Sequence, residues 1–148
     1  MYLSPGKKVL TMLSKKAQYA LRALSCLAAH YGKGSLLITD IAEAKKIPLK
    51  FLENILLELK KEGILESKKG RGGGYSLKEA PELTSLARII RVMNGPIALL
   101  PCVSLYFYQK CEDCNEGTCH LNSVFIESRD AILGVLESKT LKDIAGEC

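Results

Sequence analysis

The chain has 148 residues, 47% of them hydrophobic, with 21 Lys and Arg against 16 Asp and Glu for a net charge of +5. That length fits one domain with an appendage, and that apolar share is enough for a core. No apolar run approaches the ~20 residues of a membrane span, and residues 1–12, which carry Pro5, Gly6, Lys7 and Lys8, lack the apolar stretch of a secretory signal, so a cytoplasmic protein with no membrane partner is expected.

Residues 1–12 read as an N-terminal extension, and Met12 before Leu13-Ser14-Lys15-Lys16 reads as a second translation start. Ser14 is a good N-cap. Ala17, Ala20, Leu21, Leu24, Leu27, Ala28 and Tyr31 recur at helical spacing, predicting an amphipathic helix over 15–31 that Gly32 and Gly34 end. A minor strand is expected at 36–38. Thr39 then caps a short helix to about residue 45 that buries Ile41 and Ala42. Lys46-Ile47-Pro48 makes a turn, with Pro48 in the first turn of a helix reaching about residue 61. Phe51, Leu52, Ile55, Leu56 and Leu59 form its buried face, and Gly63 stops it. Two strands follow, at 64–68 and 75–77, around a loop of Lys69-Gly70-Arg71-Gly72-Gly73-Gly74. A helix over 84–93 presents Leu86, Ile89, Ile90 and Met93 and breaks at Gly95-Pro96. After a cysteine loop over 101–119, a long helix runs over 121–138 with an apolar stripe of Leu121, Val124, Phe125, Ile132, Val135 and Leu136, and Thr140 caps a last turn.

Helix, turn, helix and β-hairpin in that order is the winged helix-turn-helix plan, giving a mainly α fold with a small β-wing and a long C-terminal dimerisation helix. The organisation expected is an extension over 1–12, a DNA-binding unit over 13–80, and the cysteine loop with dimerisation helices over 81–148. The stripe on the last helix has little chain left to cover it. A second subunit is the natural cover, the alternative being that it packs back on the first helix.

Charge supports a polyanion partner for the front half. Residues 1–80 hold 15 Lys and Arg against 7 Asp and Glu; residues 81–148 hold 6 against 9. On the exposed face of the second helix of the motif, Lys50, Glu53 and Asn54, with Lys46 just before, are the side chains a major groove needs: Lys for guanine or phosphate, Glu for the cytosine amino group, Asn for adenine. The hairpin tip adds Lys68, Lys69 and Arg71, with Gly72 and Gly73 allowing close backbone approach. A plain flexible turn is the blander reading of those glycines. A nucleotide cradle fits less well, because the loop lacks the Gly-Lys-Ser/Thr ending and the following helix of a P-loop. With no Ser/His/Asp set, no paired catalytic carboxylates and only two histidines, no enzyme is expected.

Cys102, Cys111, Cys114 and Cys119 crowd one loop. Thiolates so placed suit an iron–sulfur cluster. Zinc is the inorganic rival, starting from Cys111-x-x-Cys114 with Cys119 and His120, and cluster-free redox thiols are the third reading. His120 adjoins Cys119, so the two side chains diverge and reach one iron awkwardly. Cys26 is expected to pack as a small hydrophobe and Cys148 to be a free thiol.

The run Leu13-Ser14-Lys15-Lys16-Ala17-Gln18-Tyr19-Ala20-Leu21-Arg22-Ala23-Leu24 resembles the opening of the IscR/NsrR/CymR family of winged-helix transcription regulators. So do Ile41-Ala42 through Phe51-Leu52-Glu53, the wing Gly70-Arg71-Gly72-Gly73-Gly74-Tyr75-Ser76-Leu77, and Gly95-Pro96-Ile97-Ala98-Leu99. The resemblance covers about residues 12–142. It implies a homodimer on palindromic double-stranded DNA, with Lys50, Glu53 and Lys69 at DNA-reading positions. It also implies a cluster, two-iron favoured over four-iron, held by three loop cysteines and a variable fourth ligand, although some members carry none. Cys102 matches the first ligand and Cys119 the last, with Cys111 and Cys114 both open as the middle one. Relatives place a histidine three residues after the last cysteine, where this chain has Asn122, or use a carboxylate from the partner's first helix, where it has Gln18.

Overall fold

The structure, a computed structural model, describes residues 13–115 and 117–148, so the expected extension over 1–12 lies outside them. In chain order it has α1 (Lys15–Ala29), α2 (Ile38–Lys45), α3 (Leu49–Lys61), β1 (Leu65–Lys68), β2 (Gly74–Leu77), α4 (Leu86–Asn94) and α5 (His120–Ser138), with 3₁₀ turns at Pro81–Leu83 and Pro101–Val103. This is a mainly α winged helix with a two-stranded antiparallel wing. No helix among the described residues is long and apolar enough to cross a membrane.

α1 is the central post. The Ser14 hydroxyl accepts from the Ala17 amide at 3.1 Å and satisfies one orphan donor of its first turn. Its buried face is rich in small residues, Ala17, Ala20, Ala23 and Cys26, beside Leu24 and Leu27, and this lets α2, α3 and α4 approach closely. Leu52, Ile55, Leu56 and Leu59 of α3 complete the same core. Those four share one face by their spacing, and Phe51, one residue earlier, is turned about 100° away from it. Phe51 is therefore exposed rather than buried as expected, with its ring edge-on to Tyr19 at 5.7 Å between centroids. Tyr31 likewise falls beyond the end of α1 and is exposed.

The expected strand at 36–38 reduces to one bridge, Leu36 to Tyr75, because Ile38 already begins α2. Leu37, not Thr39, is the N-cap, and its carbonyl accepts from the Asp40 and Ile41 amides. Pro48 occupies the N-cap of α3, one position earlier than expected, and its carbonyl accepts from Phe51 and Leu52 at 3.0 Å each.

β1 and β2 pair from Leu65–Leu77 to Lys68–Gly74. The Leu36–Tyr75 bridge pins this wing to the entry of α2 with two hydrogen bonds, of 2.8 and 2.9 Å. Gly74 makes that approach possible. Its φ is +130°, and a Cβ there would lie 2.1 Å from the Leu36 carbonyl oxygen.

Ser85 caps α4, which starts at residue 86, while Thr84 is buried and accepts from the Leu141 amide. Leu141 is fully buried in the main core, so the chain after α5 returns to the first helices. In that return Asp143 does the capping expected of Thr140: its carboxylate accepts from the Thr140 amide at 2.7 Å and from its hydroxyl at 3.2 Å. The amide bond, with nearby Lys139 and Lys142, holds the Asp143 carboxyl below its ordinary range despite some desolvation.

α5 packs on α4 and on the 101–103 turn. Leu133 is its buried residue, and the expected stripe did not include it. Leu121, Val124 and Val135 of the stripe are exposed within this chain. Cys148, expected to be free, is bonded to Cys26, with 4.8 Å between their Cα atoms, inside the range that a disulfide spans. The Gly146 amide donates to the Ser25 carbonyl and brings this segment onto α1.

Candidate nucleic-acid interface and cysteine cavity

The helix-turn-helix corner is made by Lys46, which adopts the left-handed conformation with φ 51° between α2 and α3. Lys46, Lys50 and Asn54 are exposed and Glu53 is half-buried. Lys50 and Glu53 lie one turn apart and pair at 2.9 Å between Nζ and Oε2. An exposed pair of this kind contributes only about 0.3–0.5 kcal/mol, so either partner is readily released to a base edge or a phosphate. The corner is braced from behind. The Arg22 guanidinium donates to the Lys45 carbonyl at the end of α2, and Lys16 pairs with Glu58 of α3 at 2.5 Å. Lys15 and Arg22 also lie within 6 Å of the Tyr19 ring centroid, so the exposed side of α1 adds positive charge beside the corner.

On the wing, Lys68, Lys69, Arg71 and Gly72 are exposed. Gly73 is buried, and its amide is taken by the Gly70 carbonyl at 3.0 Å. A Cβ at Gly73 would lie 2.6 Å from the Lys68 carbonyl oxygen. Gly73 therefore serves the turn, and its N–H is not presented outward.

Cys102, Cys111, Cys114 and Cys119 all line one cavity of about 410 Å³. Cys102 sits in the 3₁₀ turn over 101–103, Cys119 at the N-cap of α5, and the other two on the loop between them. Cys102, Cys111 and Cys119 are half-buried and Cys114 is exposed. The Cys114 thiol is pushed up to about 12 by its hydrogen bond to Cys111, then by desolvation, then by its bond and proximity to Cys119. Thiols this close resist shedding protons together, and bound cationic metal removes that resistance. The donor set is soft and convergent, so these residues fit an iron–sulfur cluster in chemistry. Among the described residues, no three His, Cys, Asp or Glu side chains stand close enough together to hold a metal ion as placed.

The possible fourth ligands separate. Asn122 lines the cavity and its Nδ2 lies 3.9 Å from the Cys102 sulfur. His120 is the exposed first residue of α5 and is not part of the cavity wall. Gln18 is on α1, where its amide donates to the Leu13 carbonyl at 2.9 Å.

Two arginines that the sequence reading passed over tie the loop to the helices. Arg129 of α5 is largely buried and donates to the Val103 carbonyl at 2.6 Å, next to Cys102, while pairing with Asp130 at 2.7 Å. Arg91 of α4 pairs with Glu137 of α5 at 2.9 Å and stacks on the Tyr106 ring of the loop at 4.5 Å. The available signal was confined to Arg129, a basic residue one turn from Phe125, Ile126, Ile132 and Leu133 on an apolar helix face; Arg91, beside Arg88 and Asn94, carried none.

Residues 13–147 match the Rrf2 family, described as iron-dependent transcriptional regulators. An rrf2-like HTH-type transcriptional regulator of Rhodobacter capsulatus is 43% identical over 137 residues, 90% of this chain and 91% of the relative. Among solved structures, CymR of Bacillus subtilis, the global cysteine regulator, is similar with a TM-score of 0.74 and 32% identity, covering 90% of this chain and 95% of that one. IscR of T. potens is similar with a TM-score of 0.70 and 30% identity, covering 94% of this chain and 86% of that one.

Proposed function

The chain belongs to the Rrf2 family of DNA-binding transcription regulators, and from that premise we propose that it is a cytoplasmic homodimer whose grip on a palindromic operator responds to an iron–sulfur cluster held in the cysteine cavity. Residues 13–80 are the DNA-binding unit and 81–148 the sensing and dimerising unit. Lys46, Lys50, Glu53 and Asn54 enter the major groove, and Lys68, Lys69, Arg71 and Gly72 reach the backbone or minor groove. The exposed Leu121, Val124 and Val135 of α5 form the face that a second copy covers.

The observation that carries this reading is the convergence of four cysteines on one cavity whose walls are fastened to the helices. Cys102, Cys111, Cys114 and Cys119 would hold a cluster, with Asn122 beside Cys102 at the variable position. A bound cluster, of the two-iron type in our reading, supplies a centre that oxidants or nitric oxide alter. The rest is done by this chain. Arg129 carries a shift of the Cys102 turn into α5, Arg91 and Glu137 carry it from α5 into α4, and α4 packs on α1 behind the helix-turn-helix. Because half-sites on DNA are spaced by about one turn, ~34 Å, a small change in the angle between paired α3 helices is enough to alter affinity.

A second reading keeps the fold and the operator but uses the loop thiols without metal. The likeness to CymR and the absence of three ready-placed metal ligands among the described residues favour it. Purification without oxygen, followed by iron and acid-labile sulfide analysis, separates the two. The cluster reading expects a coloured protein with iron and sulfide in equal amounts, both lost when Cys102 and Cys119 are replaced by serine. A colourless wild-type protein whose loop thiols pair on oxidation would replace it with the thiol reading.

A further inference from the structure

We propose that Cys26 and Cys148 form a second, reversible dithiol–disulfide centre, separate from the cysteine cavity, that fastens residues 141–148 to the helix-turn-helix. The four loop cysteines line their own cavity, whereas this pair joins α1 to the segment after α5 across 122 residues of sequence. The partners differ in a way that suits a switch. Cys26 is fully buried on α1, and Cys148 is exposed. They meet beside an open cleft of about 580 Å³ that gives reagents a route to the sulfurs.

What the bond holds down is otherwise weakly held. Past Leu141 the segment buries no further side chain fully; it is kept in place by the half-buried Ile144 against the core, by the Gly146 amide on the Ser25 carbonyl and by the Lys45 ammonium on the Glu147 carbonyl. Lys45 is the last residue of α2, and its own carbonyl takes the Arg22 guanidinium. The state of the bond is thus coupled to the corner that precedes α3.

The chemistry balances with a peroxide as oxidant. The Cys148 thiolate attacks one peroxide oxygen, the O–O bond breaks, and water leaves after protonation, giving a sulfenic acid. The Cys26 thiolate then attacks that sulfur, forming the S–S bond and releasing the oxygen as a second water. Two thiols and one hydrogen peroxide give one disulfide and two waters. A dithiol reductant reverses it by exchange and is itself left as a disulfide.

The inference does not rest on the cluster reading, and its test needs neither cluster nor DNA. The full chain is treated with dithiothreitol, then with hydrogen peroxide, and after each step it is alkylated, digested and mapped by mass spectrometry. A Cys26–Cys148 cross-link that disappears with the dithiol, returns with peroxide and persists in Cys102→Ser is expected. Hydrogen exchange at the Gly146 amide should rise about tenfold on reduction, as a tethered segment begins to open. Cys148→Ser, at an exposed position, should show that fast exchange in either redox state. Cross-linking of Cys148 to a loop cysteine or to a second chain would overturn the proposal. So would a bond that yields to the dithiol only after unfolding, or Gly146 protection that is the same in both states.

Discussion

Replacing Gly74 by alanine attacks the joint between the wing and the helix-turn-helix. The added Cβ would sit 2.1 Å from the Leu36 oxygen and 2.5 Å from its carbon, both backbone atoms, on a residue with φ +130°. The clash with backbone atoms opens the Leu36–Tyr75 bridge, and β-pairing to Lys68 still holds the new side chain in that strained backbone region. Losing the bridge forfeits two hydrogen bonds worth about 1 kcal/mol each, and a non-glycine residue forced into that backbone region costs about 1–3 kcal/mol. The expected loss is about 3–5 kcal/mol, a large part of the ~5–15 kcal/mol that holds a domain of this kind together. Gly72→Ala is the matched control: its φ is +69°, nothing lies within 4 Å of its added Cβ, and about 1–2 kcal/mol is expected from backbone conformation alone. Urea denaturation followed by far-ultraviolet circular dichroism measures both. If the two variants lose the same stability, the close approach at Gly74 is not what secures the wing.

Three further outcomes follow from particular contacts. Arg129→Ala removes a charged donor from the Val103 carbonyl and should lower stability by about 1.5–3 kcal/mol in urea melts while speeding alkylation of Cys102; unchanged Cys102 reactivity would deny Arg129 its hold on the loop. In metal-free reduced protein, Cys114 should alkylate slowly at pH 8 despite its exposure, since its thiolate forms only near pH 12, and Cys111→Ser should accelerate it by removing the largest cause; equal rates in the two proteins would contradict that cause. Asp143 has a folded value depressed below 3.8, so its contribution is complete above that pH and is lost as pH falls through the folded value. Asp143→Asn should therefore flatten the decline of Tm below about pH 4 without steepening it elsewhere, and an acid limb like that of the wild type would dismiss the role of the Thr140 bond.

Among the described residues, helical periodicity and glycine punctuation were enough to place the five α-helices and the two wing strands within a few residues, because each of these elements repeats a local rule. The winged-helix plan followed from their order. What failed was decided by tertiary geometry. Phe51 reads as apolar and belongs to the right run, yet the face set by Leu52, Ile55, Leu56 and Leu59 leaves it outside. Leu133 is the buried residue of α5, and only the position of the 101–103 turn and α4 reveals that choice. The cysteine loop was legible as a cluster of soft donors, while its enclosure and the arginine ties at Arg91 and Arg129 were not, since no spacing rule links residue 129 to residue 103. The same is true of Cys26 and Cys148, which are 122 residues apart and meet only because Leu141 returns the chain to α1.

The most direct test of the account is operator affinity measured in two states of the same protein. A duplex selected from a random library by the oxygen-protected protein would be titrated at fixed salt, before and after a chelator strips the cysteine cavity under reducing conditions. Coupling between sites is typically worth about 1–3 kcal/mol, so a change in Kd of about 5- to 150-fold is predicted, and Arg129→Ala should shrink it. An operator bound equally well with the cavity intact and stripped would contradict the claim that the thiol cavity governs the DNA-binding face.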